Sequence, residues 1–148
     1  MKVKVKFKDL PKSKKEKIVS RIKRKLPNKI EPIILSRIAK GISPVATQGR
    51  FKKYSESYIK AIKSGRYPGK SRRPVNLFLT GEMIRSFFVQ AKGRGFRIGF
   101  KDKKAWYHND TGPGGKREYI RRLLPTISGE NFTKSIIRDI IREIKKII

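Results

Sequence analysis

The sequence predicts an α+β fold: a small antiparallel sheet with a hairpin, packed by amphipathic helices and closed by a long C-terminal helix. Three observations carry this expectation. The runs Phe87–Lys92 and Phe96–Lys101 flank Gly93-Arg94-Gly95, the composition of a tight hairpin turn. Apolar residues recur at helical spacing in several other segments. The last of these carries Phe132, Ile136, Ile137, Ile140, Ile141, Ile144, Ile147 and Ile148, a broad apolar stripe that must be buried. At 148 residues a single domain, 1–148, is expected.

Met1–Lys8 reads as a strand, with Met1, Val3, Val5 and Phe7 on one face and lysines on the other, suited to a sheet edge. Ser13–Leu26 reads as a helix built on Ile18, Val19, Ile22 and Leu26, with Ser13–Glu16 as a capping box and Pro27-Asn28 as its end. Ile30–Lys40 is a second helix, with Pro32 in its first turn and Gly41 as its C-cap. Residues 1–45 therefore form a strand and helices that either pack on the domain or reach toward a neighbour. A third helix is expected over Lys53–Ser64, stopped by Gly65.

Gly65–Pro74 is rich in turn formers and cations and reads as an exposed basic loop. In Thr80-Gly-Glu-Met-Ile-Arg-Ser, Thr80 is placed to cap a short helix, with Glu82 in its first turn; Thr80→Ala is then expected to cost about 0.5–2 kcal/mol. After the hairpin, Ala105–Asn109 reads as one helical turn, Thr111–Lys116 as a loop and Tyr119–Leu124 as a strand. Ser128 is expected to open the last helix, along which Glu130, Asp139 and Glu143 would face solvent and pair with cations.

Lys+Arg 40 against Asp+Glu 11 gives a formal net charge of +29. Such a surplus repels itself in a compact body and calls for a polyanion or an acidic surface nearby. Cations are dense in Lys2–Lys29, Arg50–Lys53, Lys63–Arg73, Lys92–Lys104 and Lys116–Arg122, so the charge is spread over every segment. Cysteine is absent, which excludes disulfides and thiolate metal sites, and the single His108 argues against a histidine-built zinc site. No apolar run is long enough to span a membrane, and the N-terminus lacks the apolar stretch of a signal peptide. An intracellular, soluble, basic domain is expected.

Little in the sequence points to catalysis. His108 stands beside Trp106 and Tyr107 with Asp110 nearby, but no nucleophile or orienting acid is indicated, and a structural histidine is the expectation. Gly93-Arg94-Gly95 fits a turn better than a phosphate loop, and Thr111–Lys116 misses the Walker spacing. The acids show no spacing typical of metal ligation, so neither metal nor cofactor is expected. Phe51, Tyr54, Tyr58 and Tyr67 lie among cations and could stack bases; the four-residue spacing of Tyr54 and Tyr58 equally serves a core stripe.

The middle of the chain adds a resemblance. Arg50-Phe51-x-x-Tyr54-x-x-Ser57-Tyr58, Gly65, and Pro74-Val75-Asn76-Leu77-x-Leu79-Thr80-Gly81-Glu82-Met83-x-x-Ser86 together resemble the tail-completion, or neck, proteins of tailed bacteriophages, of the virion-morphogenesis and head–tail connector type. Ala105-x-Tyr107-His108-Asn109 and Arg121-Arg122-x-Leu124-Pro125 are similar to the same pattern. The resemblance covers Arg50 to the C-terminus. It implies a non-enzymatic α+β subunit in which the Leu-Thr-Gly-Glu-Met stretch precedes a hairpin and a closing helix ends the chain. It further implies a ring of identical copies in the virion, assembled in the host cytoplasm, between portal or connector and tail proteins around the DNA channel. Arg66, Lys70, Arg72, Arg73, Lys92, Arg94, Lys116 and Arg117 are the candidate contacts to acidic neighbours or packaged DNA. The alternative expectation is a sequence-nonspecific nucleic-acid-binding protein.

Overall fold

Helices α1 (Lys12–Lys25) and α2 (Pro27–Ala39) follow one another with only Leu26 between them. The computed structural model describes residues 10–71, 73–75, 77, 81–111 and 120–148, so the expected strand Met1–Lys8 lies outside the described residues. Pro11 occupies the N-cap of α1 and no side chain caps its first turn, so the Ser13–Glu16 capping box does not form. Pro27 does not end structure here. It opens α2 at the first helical position, where its missing N–H is no loss. Because α2 begins at Pro27 rather than Ile30, Pro32 falls inside the helix instead of in its first turn. Both Pro32 and Asn28, whose carbonyl loses its intrahelical donor, are exposed, so water can serve that oxygen.

Gly41 ends α2 as expected, at φ +71. Its N–H donates to the Ile38 carbonyl and that of Ile42 to the Arg37 carbonyl, the paired bonds of a Schellman termination. A Cβ at Gly41 would stand 3.0 Å from Pro74 Cβ and 3.1 Å from the Val75 carbonyl, so glycine is also needed for close packing. The following loop makes antiparallel bridges Ile42↔Arg50 and Val45↔Phe132.

Helix α3 spans Glu56–Lys63, shorter than expected, because Ser55 Oγ accepts the Tyr58 N–H and caps it there. Tyr54 thus precedes the helix. Gly65 and Gly69, at φ +77 and +76, turn the chain back toward α3, so Tyr67, Lys70 and Ser71 are half-buried rather than exposed. Helix α4 is Glu82–Arg85, and the N-cap position is Gly81 at φ +81, without a side-chain cap bond. The capping role expected of Thr80 therefore does not fall at the cap position, and Thr80 itself lies outside the described residues.

Strands β1 (Phe87–Lys92) and β2 (Gly95–Phe100) pair antiparallel from Phe87↔Phe100 to Lys92↔Gly95. The turn is the two residues Gly93-Arg94, with Gly93 at φ +56, as a hairpin with glycine at its first central position requires. Phe88 lies across Gly99, where a Cβ would meet its ring at 2.8 Å. Phe96, Ile98 and Phe100 form the inner face, half-buried rather than fully so.

Helix α5 (Lys103–Trp106), with Asp102 Oδ1 accepting the Lys104 N–H as its cap, runs into a single π-helical turn, Tyr107–Thr111. Residues 120–124, the described part of the expected strand Tyr119–Leu124, are irregular: Asn109 Oδ1 accepts the Leu123 and Leu124 N–H groups, Ser43 Oγ donates to the Arg122 carbonyl, and the Arg121 N–H goes to the His108 carbonyl, so no strand among the described residues pairs with them. Helix α6 spans Lys134–Ile147 and is capped by Thr133, not opened at Ser128, since residues 127–132 are drawn into a turn at Gly129 and the Val45↔Phe132 bridge. Among the described residues these elements give the α+β architecture expected: six α-helices, the last of them the closing helix α6, and one hairpin.

The core lies where α2, α6 and β1 meet. Ile30, Ile34 and Ile38 of α2 pack with Ile136, Ile140, Ile144 and Ile147 of α6, joined by Leu26, Phe51, Val75, Leu77, Met83, Phe87, Leu123 and Phe132. Helix α1 packs on α2 and α6 through Ile22 but buries no residue of its own.

Candidate functional site

Two side-chain clusters and one charged surface stand out. The first cluster begins with tyrosines. Tyr54, Tyr58 and Tyr67 stack in series, with successive ring centroids 5.0 Å apart. Both Lys70 Nζ and Arg121 Cζ sit 5.2 Å from the Tyr54 centroid, and Arg66 lies over Tyr67 at 5.9 Å. Arg121 is 3% exposed, and its guanidinium donates to the Lys52 and Lys53 carbonyls. Leu77, buried beneath, adopts φ +55, a left-handed conformation that costs a non-glycine residue about 1–2 kcal/mol.

This environment is low in water and high in positive charge, and four of its ionisable groups respond. Burial pushes the Tyr54 hydroxyl up to about 12, against the opposing pull of Arg121. Burial, then Tyr67, raises Tyr58. Burial and Arg121 pull Lys70 down to about 8. His108 is drawn down to about 4 by burial, by Arg121 and by Lys70. At neutral pH the imidazole is therefore uncharged. Its Nδ1 is buried without a hydrogen-bond partner among the described residues, so none of their acids orients the ring through that nitrogen.

The second cluster ties the π-helical turn to the segment before α6. Arg122 Nη1 donates to the Asn109 carbonyl at 2.6 Å and to Asp110 Oδ1 at 2.8 Å, while its Nε pairs with Glu130 Oε1 at 3.2 Å. Asn109 Oδ1 accepts the N–H groups of Leu123 and Leu124, and Asn109 Nδ2 donates to Thr126 Oγ1 and Asp110 Oδ1. Glu130 Oε2 accepts the Thr126 and Ile127 N–H groups, and Ser43 Oγ donates to the Arg122 carbonyl. Glu130 is thus a half-buried structural acid before the helix, not a solvent-facing residue along it. Asp139 and Glu143 do pair with Arg142 and Lys146 on α6.

The residues singled out from the sequence divide accordingly. Phe51, Leu77 and Met83 are core; Ser86 donates to the Met83 carbonyl and accepts the Asp102 N–H; Glu82 pairs with Lys104 at the surface. Tyr54, Tyr58, Lys70 and His108 come together, and Arg66 borders them. Arg50, Arg73, Pro74 and Tyr107 are exposed, and Lys92 and Arg94 sit apart at the hairpin tip. Arg72, Asn76, Leu79, Thr80, Lys116 and Arg117 lie outside the described residues. In the sequence Arg121 and Arg122 stand in a basic stretch and in the Arg121-Arg122-x-Leu124-Pro125 pattern, neither of which signals burial; that follows from the Lys52, Lys53 and Asn109 carbonyls and from Asp110 and Glu130.

The charged surface is α1. It carries eight cations against the single acid Glu16, and none of the ion pairs among the described residues involves it. No helix among the described residues is long and apolar enough to cross a membrane, and no group of three His, Asp or Glu there could hold a metal ion. Comparison with models of known families, with curated proteins and with solved structures finds nothing that matches the chain.

Proposed function

We propose that this protein is a structural subunit of a tailed-phage neck or tail terminus, forming a ring that joins head or connector to tail around the DNA channel. The observation that carries the reading is the order of elements. The Gly-Glu-Met helix α4 leads into the hairpin, and the Arg121-Arg122-Leu123-Leu124-Pro125 segment leads into the closing helix α6, the order the resemblance implies. Interface chemistry supports it. Trp106 is 60% exposed at the end of α5, and large exposed aromatics are the residues that anchor subunit contacts. The tyrosines of the first cluster are engaged by one another and by cations, which favours a structural over a base-stacking role. The reading makes the protein non-enzymatic, with copies of itself, connector and tail proteins as partners.

Native mass measurement of the purified chain tests it. One closed oligomer of fixed copy number, weakened by Trp106→Ser, is the expected result. A monomer at every concentration and salt overturns the reading. The charge of α1 favours a second reading, a sequence-nonspecific nucleic-acid-binding protein, for which a monomer that binds duplex tightly is the expected form.

A further inference from the structure

We infer that the outer face of α1 is a docking surface for the phosphate backbone of duplex DNA. Lys14, Lys17, Arg21, Arg24 and Lys25 fall within about 100° of helical arc, turned roughly 110° from the Ile18–Ile22–Leu26 stripe that faces the body. All five are exposed. From Lys14 to Lys25 the stripe runs about 16 Å, a length over which a duplex presents roughly ten phosphates.

The chemistry of the face selects its partner. It offers no aromatic ring, so single-stranded bases have nothing to stack upon. It offers no apolar anchor of the kind that centres a protein interface, where lysine is depleted. What it offers is a straight row of flexible cations, which satisfies a regular polyanion and reads no sequence. The contrast with α6 is informative. There Arg142 and Lys146 have their own acids, Asp139 and Glu143, whereas like charges on α1 lie three and four residues apart with no acid between them on that face. An uncompensated row of this kind is relieved when phosphates approach. The hairpin tip presents only Lys92 and Arg94, and in the 65–74 loop Lys70 is half-buried against Tyr54 while Arg66 and Arg73 are exposed but seven residues apart, so neither presents a comparable row among the described residues. The inference rests on the proposed neck role only for DNA as the polyanion at hand.

The test uses the full chain and a random duplex of about 20 base pairs, titrated between about 50 and 200 mM salt. The variant Lys14→Gln/Lys17→Gln/Arg21→Gln/Arg24→Gln is compared with Lys92→Gln/Arg94→Gln/Lys134→Gln/Arg138→Gln, which removes the same charge elsewhere. The α1 variant is expected to lower the slope of log K against log salt by about 3–4, and the control by less than about 1. Equal losses in both variants overturn the inference. Lysine acetylation of the unaltered protein needs no variant to fold: duplex is expected to protect Lys14 and Lys17 over Lys92 and Lys134. Protection of α1 by polyglutamate but not by duplex assigns the face to an acidic protein and also overturns the inference. A monomeric protein whose α1 lysines are protected by duplex removes the neck reading and leaves this one standing.

Discussion

His108 sits against Arg121 and Lys70 in a buried setting that holds its imidazole at about 4, against an ordinary value of 6.5. As pH falls through 6.5 the unfolded chain takes up a proton that the folded chain refuses until about 4. Stability is therefore lost progressively between those values, by about 3 kcal/mol in all, and is unaffected above them. Urea denaturation from pH 7 to pH 4 should show this loss, and His108→Leu should flatten it; identical slopes in both proteins would contradict the assignment. Arg122 acts in the opposite sense, as a charge whose presence is required. Its side chain is 9% exposed, and Asp110 and Glu130 beside it are 19% and 18% exposed. Arg122→Ala leaves both carboxylates without it and is expected to cost about 3–5 kcal/mol. Arg122→Lys should recover only part of that, since an ammonium cannot reproduce the guanidinium fork. A loss below about 1 kcal/mol in chemical denaturation would show the network to be screened by solvent.

Among the elements, the end of α2 is fixed by one residue. Gly41→Ala forces a side chain into φ +71, at about 1–2 kcal/mol, and into contact with Pro74 and Val75. Thermal denaturation should therefore report a loss greater than the left-handed backbone alone explains; a loss under about 1 kcal/mol would mean that the 74–75 segment yields freely. Gly41, the hairpin and the existence of every helix were legible in the sequence, because a glycine stop, a period of two and a period of 3.6 are local signals. Boundaries failed where a distant contact intervened. Ser128 does not open α6, since Phe132 bridges to Val45, and residues 120–124 are not a strand, since Asn109 takes the N–H groups of Leu123 and Leu124 and the His108 carbonyl takes that of Arg121. The Ser13–Glu16 box gave way to Pro11, whose fixed φ starts α1 a residue earlier than the serine.

For the molecule as a whole, +29 on 148 residues is a standing repulsion. Raising salt from about 10 to about 100 mM shortens the screening length from about 30 to about 10 Å. The melting temperature should rise accordingly, by roughly 2–4 °C for each kcal/mol of repulsion removed. A melting temperature that stays or falls would show that the cations already find enough acid within the fold. Which cations matter was the part least legible in sequence. The turn formers and cations of 65–74 mark it as an exposed basic loop, yet Lys70 turns inward onto Tyr54, while the spacing of Lys14, Lys17, Arg21 and Arg24 lies within a generally basic stretch that hides it.

The junction at Leu26 carries a consequence for how this chain can vary in length. Because α1 passes into α2 through one residue, with no loop to absorb a change, one residue inserted or deleted near the junction turns α1 by about 100°. Ile22 then leaves the body and the charged row swings with it. Lengthening of α1 is tolerated only in near-whole turns of three or four residues, which return both faces to phase. Related chains that keep this junction should differ there by whole turns or not at all.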